Sequence, residues 1–304
     1  MEYVLKTENL CKSYRSHQVL RDATMNVPKG SVYGLVGRNG AGKTTLMRLV
    51  CGLQTPTSGS YSLYGAAYND PSVNSARKRT CAIIEAPSIY QNMTARENLD
   101  VQFSLLGMSS GKAADDLLEL VGLTDTGTKK AGHFSLGMRQ RLGIAVTLAG
   151  NPDFILLDEP INGLDPQGIV EIRELILKLN REKNITVLIS SHILSELSLL
   201  ATDYGFMDKG HIIKEISARE LERSMRKSMR CVISSAPGFA RAAEKLALEY
   251  EIISDSEALL FGNTTVTSLV EALSSEGCEL ITVSGNDESL ESFFLDLIGG
   301  DGNV

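Results

Sequence analysis

Short apolar runs alternate with longer amphipathic stretches along the first two thirds of this 304-residue chain. The runs predict strands at residues 32–36, 80–84, 154–157 and 185–189, and the last two have the pattern of buried parallel strands. Between them lie stretches with the spacing of amphipathic helices, the clearest at residues 167–181. Strands that alternate with helices in this way predict an α/β domain with a largely parallel sheet.

Further strands are predicted where polar turns separate short apolar stretches. They cover residues 4–8, 12–14, 23–27 and 60–63, and a hairpin of residues 204–207 and 211–216. Residues of about 90–150 are predicted to form a mostly helical insert, with helices at residues 95–108 and 113–121. Ser135 suits the N-cap of a third helix, which is predicted to end near Ala149.

The last quarter of the chain has a different pattern and a different charge. Residues 231–304 predict the order β-α-β-β-α-β with an extra helix, the split-βαβ pattern of a small α+β domain. This segment holds thirteen acidic and two basic side chains, a net charge of −11, whereas the whole chain carries −7. A basic helix at residues 218–230 is predicted to link it to a first domain at residues 1–217.

A glycine-rich segment directly follows the apolar strand predicted at residues 32–36. Residues 37–44 read Gly-Arg-Asn-Gly-Ala-Gly-Lys-Thr and match the pattern G-x-x-x-x-G-K-[ST] at every fixed position. Glycines let backbone N–H groups converge on phosphate oxygens, and the start of the following helix adds unpaired donors and a positive dipole end. Lys43 can then reach the β- and γ-phosphates of a nucleotide, and the Thr44 hydroxyl can bind Mg²⁺. Tyr14 lies upstream, where an aromatic ring either stacks on a base or packs half-buried, and its position alone leaves both readings open.

Two carboxylates and a histidine follow the later buried strands. Asp158 ends the apolar run at residues 154–157, where a strand beside the phosphate loop would present a carboxylate to Mg²⁺. Glu159 follows at once and is placed to accept a proton from a water molecule that attacks the γ-phosphate. His192, at the end of the next strand, is placed to hydrogen-bond the γ-phosphate.

The amino-acid composition limits which cellular compartment and which classes of partner are expected. Apolar residues make up 43% and charged residues 22%, as in soluble proteins with a sizeable core, and no apolar run has the ~18–20 residues of a membrane span. The five cysteines are scattered without metal-ligand spacing, which predicts reduced thiols in a cytosolic protein. The acidic last segment argues against nucleic acid as a main partner, because phosphate contacts need clustered cations.

Taken together, the motifs of residues 1 to about 215 resemble those of the nucleotide-binding subunits of ABC (ATP-binding cassette) transporters. The family signature L-S-G-G-Q is matched at residues 134–138, with Phe for its Leu and Leu for its first Gly, while Ser135 and Gly137 are kept. Tyr14 matches the aromatic residue that stacks on adenine, Asp165 lies in the interface loop, and His192 matches the switch histidine. The resemblance implies that ATP is bound by Tyr14, Gly37, Arg38, Asn39, Gly40, Ala41, Gly42, Lys43, Thr44, Thr45, Ser135, Gly137 and Met138.

The resemblance also implies a fold, a chemistry and partners. The expected fold is a P-loop NTPase cassette with a mostly parallel sheet, an antiparallel β subdomain and the helical insert. Lys43, Glu159 and His192 would serve catalysis, and Thr44, Glu85 and Asp158 would hold Mg²⁺. Two copies would close head to tail on two ATP molecules, each held by the phosphate loop of one copy and the signature of the other. Separately encoded permease subunits would hold the chain at the cytoplasmic face of the cell membrane, with no role for nucleic acid.

A narrower resemblance rests on Glu85, which stands where the family normally has Gln. This exchange is similar to that in the ATPase subunits of bacterial exporters of lantibiotics and bacitracin-like peptides. The length of this chain, 304 residues with an extension past the cassette, is also similar to that of subunits in that group. The resemblance thus implies export of an antimicrobial peptide or drug.

Two other classes of ATPase share these motifs. ATPases of chromosome maintenance and DNA repair place a long coiled coil between phosphate loop and signature, whereas here about 90 residues without heptads separate them. Ribosome-associated translation factors carry two cassettes in one chain, and a single set of motifs is present here. Both classes remain alternatives to transport.

Overall fold

The computed structural model describes residues 2–224, 227–262, 264–287 and 290–299. The chain divides into two compact units, Met1–Ala218 and Arg219–Val304, and each is described by itself. Residues 300–304 of the predicted acidic domain and residues 225–226 of the predicted linker helix lie outside the described residues. No helix within the described ranges is both long enough and apolar enough to cross a membrane.

The first unit alternates strands and helices in the order that the apolar pattern predicts. Its strands are β1 (Tyr3–Tyr14), β2 (His17–Pro28), β3 (Val32–Gly37), β4 (Ser58–Leu63), β5 (Ala66–Ala67), β6 (Thr80–Ile83), β7 (Phe154–Asp158), β8 (Thr186–Ser191), β9 (Asp203–Asp208) and β10 (His211–Ser217). Its helices are α1 (Lys43–Val50), α2 (Val73–Arg77), α3 (Ala95–Leu105), α4 (Gly111–Leu120), α5 (Leu136–Leu148), α6 (Pro166–Lys183) and α7 (Leu194–Ser198). Single 3₁₀ turns lie at Thr124–Thr126 and Ala131–His133.

The central sheet has the strand order β10-β9-β3-β8-β7-β6. The strands β9, β3, β8, β7 and β6 are parallel, and β10 is antiparallel to β9 at the edge. Every residue of β3, β7 and β8 is buried, which confirms the buried strands predicted at residues 154–157 and 185–189, whereas β6 at the edge of the sheet is mostly half-buried. Because parallel strands end on the same side, Val36 pairs with Ser191 and Asp158 with Ser190 at the carboxyl edge of this sheet.

A second, antiparallel sheet has the order β2-β1-β4-β5. The sequence predicted two strands at residues 4–8 and 12–14, but the structure has one long strand, β1, with an irregular register between Thr7 and Leu10. Asn9 adopts a positive φ of 47° inside this irregularity. Gly59 of β4 passes so close that an added Cβ would lie 2.0 Å from the Asn9 carbonyl oxygen. The bulge therefore interrupts the alternation of side chains without ending the strand.

The helical insert consists of α3, α4 and α5. Thr94 and Glu97 form a capping box at the start of α3, with the Glu97 N–H 3.1 Å from Thr94 Oγ1. The sequence predicted that α3 runs to residue 108, but it ends at Leu105 because Gly107 takes a positive φ of 68°. The Met108 N–H then bonds the Phe103 carbonyl oxygen at 2.9 Å, which is the closure of a Schellman motif.

The second unit is a small α+β domain with its own core. Its helices are α8 (Ala218–Ser224), α9 (Ala236–Lys245), α10 (Val266–Ser275) and α11 (Leu290–Gly299), and its strands are β11 (Lys227–Ile233), β12 (Glu249–Ser254), β13 (Glu257–Phe261) and β14 (Leu280–Asp287). The sheet is antiparallel with the order β12-β13-β11-β14. Cys231, Phe239, Leu260 and Leu269 are fully buried in the core between this sheet and α9 and α10.

The helix predicted at residues 218–230 is wrong in its second half. It ends at Ser224, and Lys227 and Arg230 belong to β11, an inner strand of the second sheet. Met229 pairs with Leu260 on one side and with Gly285 on the other. Two ladders of backbone hydrogen bonds therefore outweigh a local charge pattern that favours helix.

Candidate nucleotide-binding site

The glycine-rich loop joins β3 to α1 in a conformation that requires glycine at two positions. Gly42 has φ 111°, and a Cβ there would lie 2.8 Å from Leu20 Cδ2. A Cβ on Gly37 would lie 2.6 Å from the Met207 carbonyl oxygen. The loop is thus both twisted and tightly packed, and glycine-rich bends of this kind let backbone N–H groups converge on phosphate oxygens.

Lys43 is the central cation of this loop. Its side chain is only 6% exposed, and Nζ donates a hydrogen bond to the Gly37 carbonyl oxygen at 2.7 Å. The same ammonium lies 3.2 Å from Glu159 Oε1. A cavity of about 200 Å³ opens over the loop and is lined by Val19, Asn39, Gly40, Ala41, Gly42, Lys43, Thr44, Thr45 and Glu159.

Thr44 and Asp158 meet as predicted, and a third residue joins them. The Thr44 hydroxyl donates to Asp158 Oδ2 at 2.7 Å, while the Ser190 hydroxyl donates to Asp158 Oδ1 at 2.6 Å. Asp158 is 3% exposed and Ser190 is fully buried. Hydroxyl and carboxylate oxygens are the hard ligands that Mg²⁺ prefers, so Thr44 and Asp158 fit a magnesium site. Sequence reasoning missed Ser190. Its one signal in the sequence was that it follows a predicted buried strand, as Asp158 does.

Glu159 is held between two partners at the start of the turn after β7. It adopts a positive φ of 49°, and its N–H donates to both the carbonyl and the hydroxyl oxygen of Ser190, at 3.2 and 3.0 Å. His192 Nδ1 lies 2.8 Å from Glu159 Oε2. The three residues assigned to catalysis from the sequence are therefore together, with His192 at one carboxylate oxygen of Glu159 and Lys43 at the other.

Tyr14 lies at the end of β1 and is 40% exposed. Its hydroxyl is hydrogen-bonded to Gln54 Oε1, and Lys12 Nζ lies 5.3 Å from the ring centroid. The ring is thus oriented by a polar partner that the sequence did not single out, with a face available for stacking at its exposed side. The adenine-stacking role of Tyr14 stays a prediction.

A second group of predicted residues lies at the adjacent starts of α5 and α6. Ser135 is the N-cap of α5, as predicted, and accepts the Met138 N–H at 3.2 Å. Asp165 is the N-cap of α6, and its carboxylate accepts the Gly168 N–H at 3.0 Å. Within the described residues, no hydrogen bond or ion pair joins these caps to Lys43, Thr44, Glu159 or His192 of the same chain.

The structure does not bring Glu85 into the group formed by Thr44 and Asp158. The Glu85 carboxylate is 66% exposed and is bound by Arg48 of α1, with Nη2 2.6 Å from Oε1. Its backbone has a positive φ of 64°. The metal-ligand role that the resemblance implies for Glu85 therefore has a competitor in this chain, because Arg48 already neutralises the carboxylate.

Comparisons with known proteins show the family to which the chain is similar. The family model described as ABC transporter matches residues 20–162. The chain is 38% identical to a bacitracin transport ATP-binding protein of Enterococcus faecalis, over 99% of this chain and 98% of that protein. It is 44% identical to a lantibiotic transport ATP-binding protein of Streptococcus pyogenes, over 70% of this chain and 90% of that protein.

A solved structure shares the fold of the first unit. It is a dimeric, post-hydrolysis state of an ATP-binding cassette bound to ADP and inorganic phosphate. The TM-score is 0.62 at 25% sequence identity, over 71% of this chain and 99% of that one. The expected cassette with a mostly parallel sheet and an antiparallel subdomain is thereby confirmed.

Proposed function

This chain belongs to the ABC transporter family as an ATP-binding, ATP-hydrolysing subunit, and we propose that it drives the export of an antimicrobial peptide or drug. The observation that carries the export proposal is that the similarity to the bacitracin transport protein does not stop at the cassette. It continues through the second unit, which a bare cassette would lack. Cassettes of this family dimerise and work with permease subunits, and we assign the same two kinds of partner to this chain.

The phosphate loop supplies the binding half of the proposed mechanism. Backbone N–H groups of the loop that lines the cavity and the ammonium of Lys43 would bind the β- and γ-phosphates, with the adenine on Tyr14. Thr44 and Asp158 would hold Mg²⁺, which neutralises phosphate charge when it is bound. Ser190 fixes the Asp158 carboxylate so that one oxygen remains directed toward Thr44.

Glu159 and His192 supply the hydrolytic half. Glu159 would accept a proton from the water molecule that attacks the γ-phosphorus, as the bond between the γ-phosphorus and the bridging oxygen breaks. The bond between the Glu159 N–H and Ser190 holds the backbone of the base, and His192 orients its carboxylate. The γ-phosphate would then form new contacts with His192 and Lys43.

A second copy of the chain completes the proposed site. Ser135, Gly137 and Met138 lie at the start of α5, where the positive end of the helix dipole favours a phosphate. Within the described residues of one chain, no polar contact joins the start of α5 to the phosphate loop. We therefore assign the start of α5 to the ATP held by the other copy. Asp165 would lie in the same interface, as the cap of α6.

The permease is proposed to dock beside α5. A groove of about 450 Å³ is lined there by residues of β6, α3 and α5 together with Leu53 and Ala86. Leu53, which lines the groove, is 67% exposed, so apolar surface is available for a partner. Docking at this groove would place the chain at the cytoplasmic face of the cell membrane, held there by the permease.

One pair of measurements tests this function. Phosphate release by the purified chain should depend on both ATP and Mg²⁺, which tests the ATPase site. Cells that lack the gene should become more sensitive to bacitracin or a lantibiotic, and a wild-type copy, but not one carrying Glu159→Gln, should restore resistance. If hydrolysis occurs but no peptide antibiotic distinguishes these cells, the export proposal fails and the ATPase remains.

A further inference from the structure

Arg141 of α5 joins three helices through one guanidinium group. Nη1 donates to the carbonyl oxygens of Val121 and Gly122 at 2.9 and 3.0 Å, which closes the C-terminal end of α4. Nη2 lies 3.3 Å from Glu171 Oε2 on α6. The Arg141 and Glu171 side chains are 16% and 35% exposed, so the ion pair is partly shielded from competition by water.

The starts of α5 and α6 are close enough to be held as one body. A Cβ on Gly137 would lie only 3.7 Å from Gly168 Cα, so the two backbones approach closely at their first turns. Glu171 also accepts a hydrogen bond from Gln167 Nε2 at 3.1 Å, and Gln167 lies in the first turn of α6. The pair of Arg141 and Glu171 therefore binds the two helices just beyond the caps Ser135 and Asp165.

The same helix α6 is tied to the segment after His192. Arg173 Nη1 lies 2.8 Å from Glu196 Oε2 on α7, and the two side chains are 19% and 23% exposed. Two ion pairs within one turn of α6, at Glu171 and Arg173, thus connect it to the signature helix and to α7. Partly buried pairs with this geometry restrict orientation more than exposed pairs do.

We propose that Arg141, acting through Glu171, is a positioning residue that fixes the signature helix α5 against α6. Ser135, Gly137 and the Asp165 loop then meet the ATP of the other copy as one preformed surface. This inference rests on the ATP-bound dimer proposed above. Arginine is required because its planar group binds two carbonyl oxygens and a carboxylate at once, whereas a lysine ammonium is a point charge.

The two steps of ATP engagement respond differently to the loss of this clamp. Binding of ATP to the phosphate loop of its own chain involves neither α5 nor α6, so its affinity stays the same. Dimer closure has to order α5 against α6 when the clamp is absent, and this ordering weakens association. Residues that couple sites in this way change the coupling by about three- to thirtyfold.

The experiment uses the full-length chain carrying Glu159→Gln, which should accumulate as the closed dimer. Arg141→Met, Arg141→Lys, Glu171→Gln and the double variant Arg141→Met with Glu171→Gln are compared in that background. The dissociation constant for ATP is measured at a protein concentration too low for dimers, and the dimer dissociation constant is measured with ATP by sedimentation. We expect ATP affinity within about twofold of the parent and dimers weakened about three- to thirtyfold, with Arg141→Lys intermediate.

Glu171→Gln separates positioning from folding, because Arg141 keeps its bonds to the end of α4 in that variant. The double variant should be no worse than Arg141→Met alone, since one residue acts through the other. Arg96→Met is the matched control: it removes ion pairs with Asp100 and Asp115 within the helical insert and should dimerise like the parent.

Three results would overturn the inference. If the Arg141→Met variant dimerises as tightly as the Arg96→Met control, Arg141 does not position the signature helix. Additive effects in the double variant would show that Arg141 and Glu171 act separately. A loss of ATP affinity equal to the loss of dimer would assign Arg141 to general stability. Failure of the Glu159→Gln parent to dimerise refutes the proposed dimer itself, whereas failure confined to the Arg141 and Glu171 variants leaves that dimer intact.

Discussion

Lys43 Nζ lies 3.2 Å from Glu159 Oε1, so the cation of the phosphate loop and the proposed general base share one end of the site. His192 takes the other oxygen of the same carboxylate at 2.8 Å. Glu159 is 20% exposed, and Lys43 is almost fully buried. A γ-phosphate that binds Lys43 therefore competes with the Glu159 carboxylate for the Lys43 ammonium. Nucleotide binding is thereby linked to release of the general base from its ion pair.

Glu159→Gln should separate ATP binding from hydrolysis. The amide keeps the shape of the side chain but cannot accept the proton of the attacking water, so the turnover rate should fall about 10²–10⁴-fold. ATP affinity should change little, and dimers should persist with ATP. Phosphate release and sedimentation with ATP measure the two effects. Normal turnover in this variant would refute the assignment of Glu159 as the base.

Lys43→Ala should weaken ATP binding itself. The variant loses a buried ammonium that binds phosphate charge, and charge-assisted hydrogen bonds contribute about 1.5–3 kcal/mol, or about 10–150-fold in affinity. Titration with a fluorescent ATP analogue measures the change. Lys209→Ala is a suitable control because that side chain is 86% exposed at a turn. Equal affinities in the two variants would contradict the assignment.

Ser190→Ala tests a residue that only the structure identified. The substitution leaves Asp158 Oδ1 without the hydroxyl that lies 2.6 Å away, in a fully buried place. Unfolding free energy should fall by about 1–3 kcal/mol, and more Mg²⁺ should be needed for half-maximal ATPase rate.

Ser31→Ala provides the matched control for Ser190→Ala. The Ser31 hydroxyl is buried and donates to the Pro28 carbonyl oxygen at 2.7 Å, remote in sequence from the carboxylates. Its loss should lower stability without changing the Mg²⁺ requirement. If Ser190→Ala and Ser31→Ala give the same Mg²⁺ titration, Ser190 has a structural role alone.

Glu85→Gln should keep the Mg²⁺ requirement of the wild type within about twofold, because Arg48 binds the carboxylate. Arg48→Met frees the same carboxylate without removing it and serves as the companion variant. A Mg²⁺ titration of the ATPase rate compares the three proteins. A clearly higher Mg²⁺ requirement for Glu85→Gln would restore the metal-ligand role that the resemblance implies for this residue.

Truncation after Ala218 should leave a folded cassette that binds ATP, since the two compact units divide there. A chain that ends at Arg230 should be less soluble, because it carries half of the inner strand β11 without β13 and β14. Circular dichroism and ATP titration of both fragments measure this. Loss of ATP binding by the fragment of residues 1–218 would show that the cassette depends on the second unit.

The sequence by itself determined the features that depend on neighbours along the chain. The phosphate loop was readable because an apolar strand, a glycine bend and a helix follow one another at residues 32–50, and each depends on local backbone geometry. Ser135 could be recognised as an N-cap for the same reason. The alternation of buried strands and helices likewise predicted the parallel sheet, since burial on both faces requires continuous apolar runs.

Only the tertiary structure decided which distant side chains meet. Ser190 reaches Asp158 because β7 and β8 are adjacent and in register, and nothing in the local sequence specifies that register. Arg48 forms an ion pair with Glu85, and Arg141 forms one with Glu171, because elements that are far apart in the chain pack together. Lys227–Ile233 became a strand rather than the end of a helix because partners on both sides supplied its hydrogen bonds. Local patterns specify elements, whereas contacts between elements depend on a fold that no single stretch of the chain contains.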